Sequence, residues 1–391
     1  MLTRRLLVAC IVAAALMGGL SGVAAQSQPA TLVGRAVMPA NTLTDGPSAG
    51  AALAKGATIN GVQVPFDSQP VGSVSACLPG EYPGTWLILT DGRFDTARNS
   101  ADFLLRIYTV DLNWQRATTG SGQVTPLDWK TLNDRNRRLT ANLINANSRT
   151  RDLTGADFTP RAIQRDNNGA FWIADEKTPA LIRVDGLGRV LEPAISLQEA
   201  GALQGMGILP DGSALVIAQK SANNRRQVVF RLFDLTTRTL TNLPGFYTLE
   251  RETFFLGGFT MINNDEAVAI EQDGAQGSRA DFKRVFLFNV RANPIGKTPI
   301  ADLMQLDDPS GISTRGANPP DALGIGAVFT FPFSAITALA PIDEQTLLLA
   351  NNNRIPFGLG RSATQADATE FIAVRLAQPL ALDPAFLRPL R

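Results

Sequence analysis

Short apolar runs that close on polar clusters punctuate the chain: Trp86 to Asp91, Phe171 to Glu176, Ala214 to Gln219, Ala267 to Asp273 and Thr346 to Asn351. Runs of this kind, bounded by turn residues, read as β-strands. Tight turns stand just upstream of several of them, as in Asp166-Asn167-Asn168-Gly169 and Pro210-Asp211-Gly212. Further strand-like runs follow at Leu181 to Asp185, Val228 to Asp234 and Arg284 to Asn289. Helical periodicity is weak except in a polar stretch around Lys130 to Ala146.

The polar tips recur at intervals near one or two units of about 40 to 50 residues, the period of a propeller blade. A strand, a tight turn, a polar-tipped strand and another strand describe a β-meander, and radial repetition of meanders gives a β-propeller with short protected edges. The expected fold is therefore an all-β propeller of six or seven blades, one large domain after a signal peptide; a pair of β-sandwiches with coincidental spacing is the alternative. Tips at corresponding blade positions would then meet at one mouth of a central channel.

The N-terminus changes the boundaries. Arg4 and Arg5 precede an apolar run from Leu6 to Leu20 that ends near Val23 and Ala25, the pattern of a cleaved secretory signal. The run is shorter than the roughly 20 residues that a spanning helix needs. Residues 1–25 are read as the signal peptide, 26–75 as an N-terminal segment that joins the propeller, and 76–391 as the propeller domain. The protein is expected to be secreted or periplasmic, monomeric, and without stable membrane insertion after cleavage.

Composition narrows the chemistry. Loss of Arg4 and Arg5 takes the net charge from +1 to −1, so no basic field favours nucleic acid or an anionic membrane. Only Cys77 remains after the signal, which excludes an internal disulfide. The chain has no histidine, which removes the Ser-His-Asp triad and every imidazole ligand. Catalysis must rest on Asp, Glu, Lys, Arg, Tyr or Ser, and a bound metal would be a hard, oxygen-ligated ion. Ser100 lacks a Gly-x-Ser-x-Gly elbow and a histidine to activate it.

Glu271 and Asp273 flank Gln272, so on an extended strand both face one side, and a cation is expected between them: calcium, Arg279 or Lys283. Asp175-Glu176 closes its strand as a candidate metal ligand or general base, or as a solvated strand end. Three asparagines, Asn351 to Asn353, end the last apolar run and precede Arg354.

Asp91 to Tyr108, Leu153 to Pro160, Phe171 to Glu176, Leu347 to Arg361 and Asp367 to Ile372, in this order, resemble the esterase-like-activity-of-phytase family. The resemblance covers about residues 80 to 380. It implies a secreted phytase-like propeller that hydrolyses phosphoesters or other small-molecule esters, with calcium at the channel mouth activating a water. On that basis Asp175, Glu176 and Glu271 are the expected catalytic residues. Arg161, Asn352 and Arg361 are expected to bind substrate, and Asp91, Glu271, Asp273 and Asn352 to hold the metal. The chain departs from the family pattern at Arg161, Gln204 and Asn352, where acids are expected. Each lost charge weakens a calcium site, and the alternative function is a degenerate propeller that binds a ligand or protein without catalysis.

Overall fold

The computed structural model describes residues 29–53, 56–197 and 201–387. The expected signal peptide lies outside them. The apolar runs form strands because each is covered on both faces: Phe171–Asp175, Thr346–Asn351 and all but the first residue of Glu266–Gln272 are buried throughout, without the polar alternation of a half-solvated strand. The outermost strand Gln123–Thr131, by contrast, is largely exposed or half-buried. Turns follow from local chemistry. At Gly169 the backbone takes φ +82°, where a side chain would be strained, and Asp166 accepts the N–H groups of Asn168 and Ala170.

Among the described residues the strands assemble into five antiparallel four-stranded blades. The first runs through Val74–Pro79, Thr85–Thr90, Arg106–Asn113 and Gln123–Thr131. The second starts at Pro160–Arg165, the third at Leu203–Ile208 and the fourth at Phe255–Met261. The fifth takes Ile336–Pro341, Thr346–Asn351 and Thr369–Arg375, and its fourth strand is Thr31–Met38 from the other end of the chain. The five inner strands neighbour one another in ring order, the fifth against the first. The fold is the expected all-β propeller, and the ring has five blades rather than six or seven. Residues 132–159 and 303–335 make long loops between blades, with at most two-residue strands, where the spacing allowed for further blades. The polar stretch around Lys130 to Ala146 forms no helix; only two 3-10 turns, Gly277–Arg279 and Pro384–Leu387, occur among the described residues.

The core lies between blades. Trp172 of the second blade meets Phe233 of the third edge-on, and Phe230, Phe259 and Phe288 join the third blade to the fourth. Burying one such side chain contributes roughly 1.5–3 kcal/mol. Trp172 thus belongs to the packing, with its indole N–H donated to Asp166. Cys77 is buried and free, and burial pushes its thiol up to about 12.

All five inner strands break register near their start, at Ser75, Arg161, Gln204, Gly257-Gly258 and Thr337. Bulges re-aim side chains at sheet ends.

Candidate functional site at the channel mouth

Each inner strand starts, and each second strand ends, at this end of the ring. Because side chains alternate along a strand, consecutive tip residues serve different ends. Asp175, Gln219 and Glu271 are fully buried and stitch the tip to the connector arriving from the previous blade. Asp175 accepts the N–H groups of Thr159 and Thr178; burial raises its carboxyl above the usual range against those bonds. Gln219 donates to the carbonyls of Leu197 and Gly201. Glu271 accepts the Tyr247 hydroxyl at 2.7 Å, the Glu250 N–H at 2.5 Å and Lys297 Nζ at 2.6 Å. Asn351, also buried, accepts the N–H of Glu370.

The next residues, Asp91, Glu176, Gln272 and Asn352, point along or across the mouth. Gln272 donates to the carbonyl of Ile336 and accepts its N–H, both at 2.9 Å, clamping the fourth blade to the fifth. Gln204 accepts the N–H of Leu256 at 3.0 Å, clamping the third blade to the fourth. Asn352 Nδ2 donates to Asp91 Oδ2 at 2.7 Å, joining fifth blade to first. Asp91 also accepts the Arg93 N–H. Burial pushes its carboxyl up to about 6; Asn352 and Arg93 oppose the rise, and the charge of Glu176 adds to it.

Arg161 crosses the mouth from the second blade to the fourth. Its Nη2 donates to the Leu256 carbonyl at 2.8 Å, and its guanidinium lies 5.8 Å from the centre of the Phe255 ring. Nη1 stands 3.8 Å from Glu176, an ion pair longer than a hydrogen bond, and Nε is buried with no acceptor. The channel below is lined by all five inner strands, from Arg161 to Pro79, Pro341 and Phe386. Its volume is about 50 Å³, against roughly 30 Å³ for one water in the liquid. Any larger ligand has to stay at the mouth.

The structure brings Asp91, Glu176, Arg161 and Asn352 together and separates the other expected site residues from them. Asp175 and Glu271 face connectors, because they sit one residue before the mouth position on strands of period two. Asp273 lies in a hairpin, accepting the N–H groups of Asp281 and Phe282 and pairing closely with Lys283. Burial works against its charge, yet Lys283 holds its carboxyl below the usual range. Lys283, one of the expected cations, pairs with Asp273 alone, and Lys297 takes Glu271, so no cation sits between the two acids among the described residues. Arg361 lies off the mouth, bound to Glu370 by two bonds of 2.8 and 3.1 Å. Ser100 is buried, donating to the Thr96 carbonyl and accepting the Phe94 N–H within a turn. Nothing in the sequence marks Gln272, named there only as the residue between two acids, or Phe255 as a mouth residue; only blade register could have done so.

A calcium site needs six to eight oxygen ligands, several of them carboxylates. Among the described residues no group of three or more acidic, cysteine or histidine side chains converges. The mouth offers two carboxylates with an arginine beside them, a donor set that does not fit calcium.

The family described as Phytase-like, "Esterase-like activity of phytase", matches residues 69–353, well over half of the chain. A comparison with curated proteins returns no match. Among solved structures the chain is similar to a luciferin-regenerating enzyme at 11% identity and TM-score 0.39, over 79% of each chain. It is similar to an exo-beta-1,3-galactanase from Phanerochaete chrysosporium at 10% identity and TM-score 0.43, over 85% of this chain and 63% of that one, so it spans less than two thirds of that protein. The WD40 domain of Neurospora crassa Pan2 gives 9% identity and TM-score 0.37, over 79% and 90%. The ring itself rests on the strand pairings, and the family on the match across the first four blades and into the fifth: this chain belongs to the phytase-like family, esterase-like activity of phytase.

Proposed function

We propose that the channel mouth binds the oxyanion of a small phosphoester or carboxylic ester and hydrolyses it without a metal. One observation carries the reading: Arg161 has a single hydrogen-bond acceptor for its five N–H groups, its Nε is buried without one, and the acid paired with it, Glu176, stands 3.8 Å away, beyond hydrogen-bond reach. An orphaned buried donor is costly, and a ligand oxyanion relieves that cost. Asp91, poised near pH 6, is suited to general base work at neutral pH. In this scheme a water oxygen bonds to the carbonyl carbon or phosphorus while its proton passes to Asp91. The ester C–O or P–O bond then breaks, and the leaving oxygen takes that proton. Asn352 orients Asp91 through its 2.7 Å bond, and Arg161 holds the developing negative charge.

The scheme takes the chain as exported, on the strength of the apolar run after Arg4 and Arg5 alone. Its test is hydrolysis of p-nitrophenyl phosphate and p-nitrophenyl acetate in chelator and in millimolar calcium, by the unaltered chain and by Asp91→Asn and Arg161→Met. Metal-independent turnover that falls about 100-fold or more in Asp91→Asn supports the scheme. Turnover that requires calcium, or no turnover at all, overturns it. Anion binding lost in Arg161→Met, without turnover, would leave the second reading, a ligand-binding propeller, favoured by the missing carboxylates.

A further inference from the structure

A second cavity, of about 900 Å³, opens on the seam where the chain's first strand closes the ring. It lies between Thr31–Met38, the start of Gln123–Thr131, and the loops around 312–320 and 361–368. That size is within the roughly 300–1,000 Å³ range of small-molecule sites. None of the mouth residues Asp91, Arg161, Glu176 and Asn352 lines it.

Three arginines line this cavity, Arg35, Arg315 and Arg361, against two acids, Glu370 and Asp367. Arg35 and Arg361 are each 3% exposed and share Glu370, 1% exposed, through Arg35 Nε at 3.0 Å and Arg361 Nε at 2.8 Å. Burial alone would raise the Glu370 carboxyl; the two guanidinium groups hold it down at about 2. Glu370 thus stays charged and keeps both arginines in place. Arg35 Nη1 donates to Asn318 and the Ser313 carbonyl, while its Nη2 has no hydrogen-bond partner among the described residues. Among the described residues Arg315 is held by the backbone carbonyls of Arg116, Ala117 and Ser310 and pairs with no acid. Asp367 spends both oxygens on the N–H groups of Gly360 and Arg361.

From the cavity, the unpaired Nη2 of a nearly fully buried arginine and the uncompensated Arg315, we infer that this seam pocket binds a small organic molecule bearing a carboxylate or phosphate. The guanidinium of Arg35, fixed through Nε by Glu370 and through Nη1 by Asn318 and the Ser313 carbonyl, leaves Nη2 to donate to either oxyanion. The site goes beyond the hydrolytic reading and does not depend on it.

The test must read the pocket apart from the mouth, so inorganic phosphate and succinate are titrated calorimetrically into Arg161→Met, which lacks the anion-binding group of the mouth. Binding of at least one probe at millimolar or lower Kd is expected, weakened about tenfold or more when Arg315→Glu or Ala317→Trp is added. Both added changes are at exposed positions of the lining, so the fold is kept. Which probe binds tells carboxylate from phosphate. If the unaltered chain binds a probe but Arg161→Met does not, the pocket proposal falls and the mouth reading stands. If neither protein binds either probe, or if both added substitutions leave affinity unchanged, the pocket proposal is likewise overturned.

Discussion

Asn352 donates its side-chain amide to Asp91 Oδ2 at 2.7 Å, so the second-strand tips of the fifth and first blades are joined by an amide facing a carboxylate. An aspartate in place of Asn352 would set two carboxylates against each other, which a cation must separate.

Asn352→Asp should therefore bring calcium affinity to a mouth whose donor set does not otherwise fit the ion. In chelator the variant should lose about 1–3 kcal/mol, the cost of a lost buried hydrogen bond plus repulsion. Calorimetric calcium titration and denaturant unfolding with and without calcium read both effects. No calcium response would mean that Arg161, rather than the missing charge, bars the ion.

The titration of Asp91 gives two opposed pH signatures. Its carboxyl is about 6 in the folded chain and about 3.9 unfolded, so between these values the folded state binds the extra proton and stability falls as pH rises. Activity runs the other way: kcat/KM should climb about tenfold per unit below pH 6 and level off above it. Asp91→Asn should abolish both trends, which a pH series of unfolding and of ester turnover would register.

Glu370 carries the reverse stability sign. Held at about 2 by Arg35 and Arg361 against about 4.3 unfolded, it contributes stability that is complete above the unfolded value and is lost as pH falls toward 2. Glu370→Gln should cost about 3–5 kcal/mol at neutral pH, because two buried guanidinium groups lose their counter-charge. The acid limb of the unfolding profile should flatten in the variant.

Gly257→Ala probes blade docking. A Cβ there would lie 2.0 Å from the Ile336 carbonyl and from the Gln272 amide, at the clamp between the fourth and fifth blades. Overpacking of this kind costs about 1–3 kcal/mol, occasionally more. A thermal melt close to that of the unaltered chain would show that the bulge has room to give.

Much of the ring was legible from the chain. The five polar-tipped runs in the sequence are the five second strands of the blades, buried on both faces and hence apolar up to their tips. The blade count was not legible, because a long interval between tips reads the same whether it holds a blade or a loop such as 303–335. The site was half legible. Asp91, Glu176, Arg161 and Asn352 meet, while Asp175 and Glu271 differ from mouth residues by a single step of strand register, which no residue type reveals. Arg361 and Glu370 both lie in the family-like stretches of the sequence, but their partner Arg35 is 335 residues from Glu370 in the chain and gave no local sign.

That last separation bears on the order of assembly. Thr31–Met38 is synthesised before every other blade strand, yet its partner Thr369–Arg375 follows all of them. That strand must wait, unpaired along that edge, until the other blades have been made. The ring then closes over a very long loop, and contacts of such high sequence separation slow folding. Loss of Thr31–Met38 or of Thr369–Arg375 breaks the same blade, so the fifth blade forms only when both segments are present.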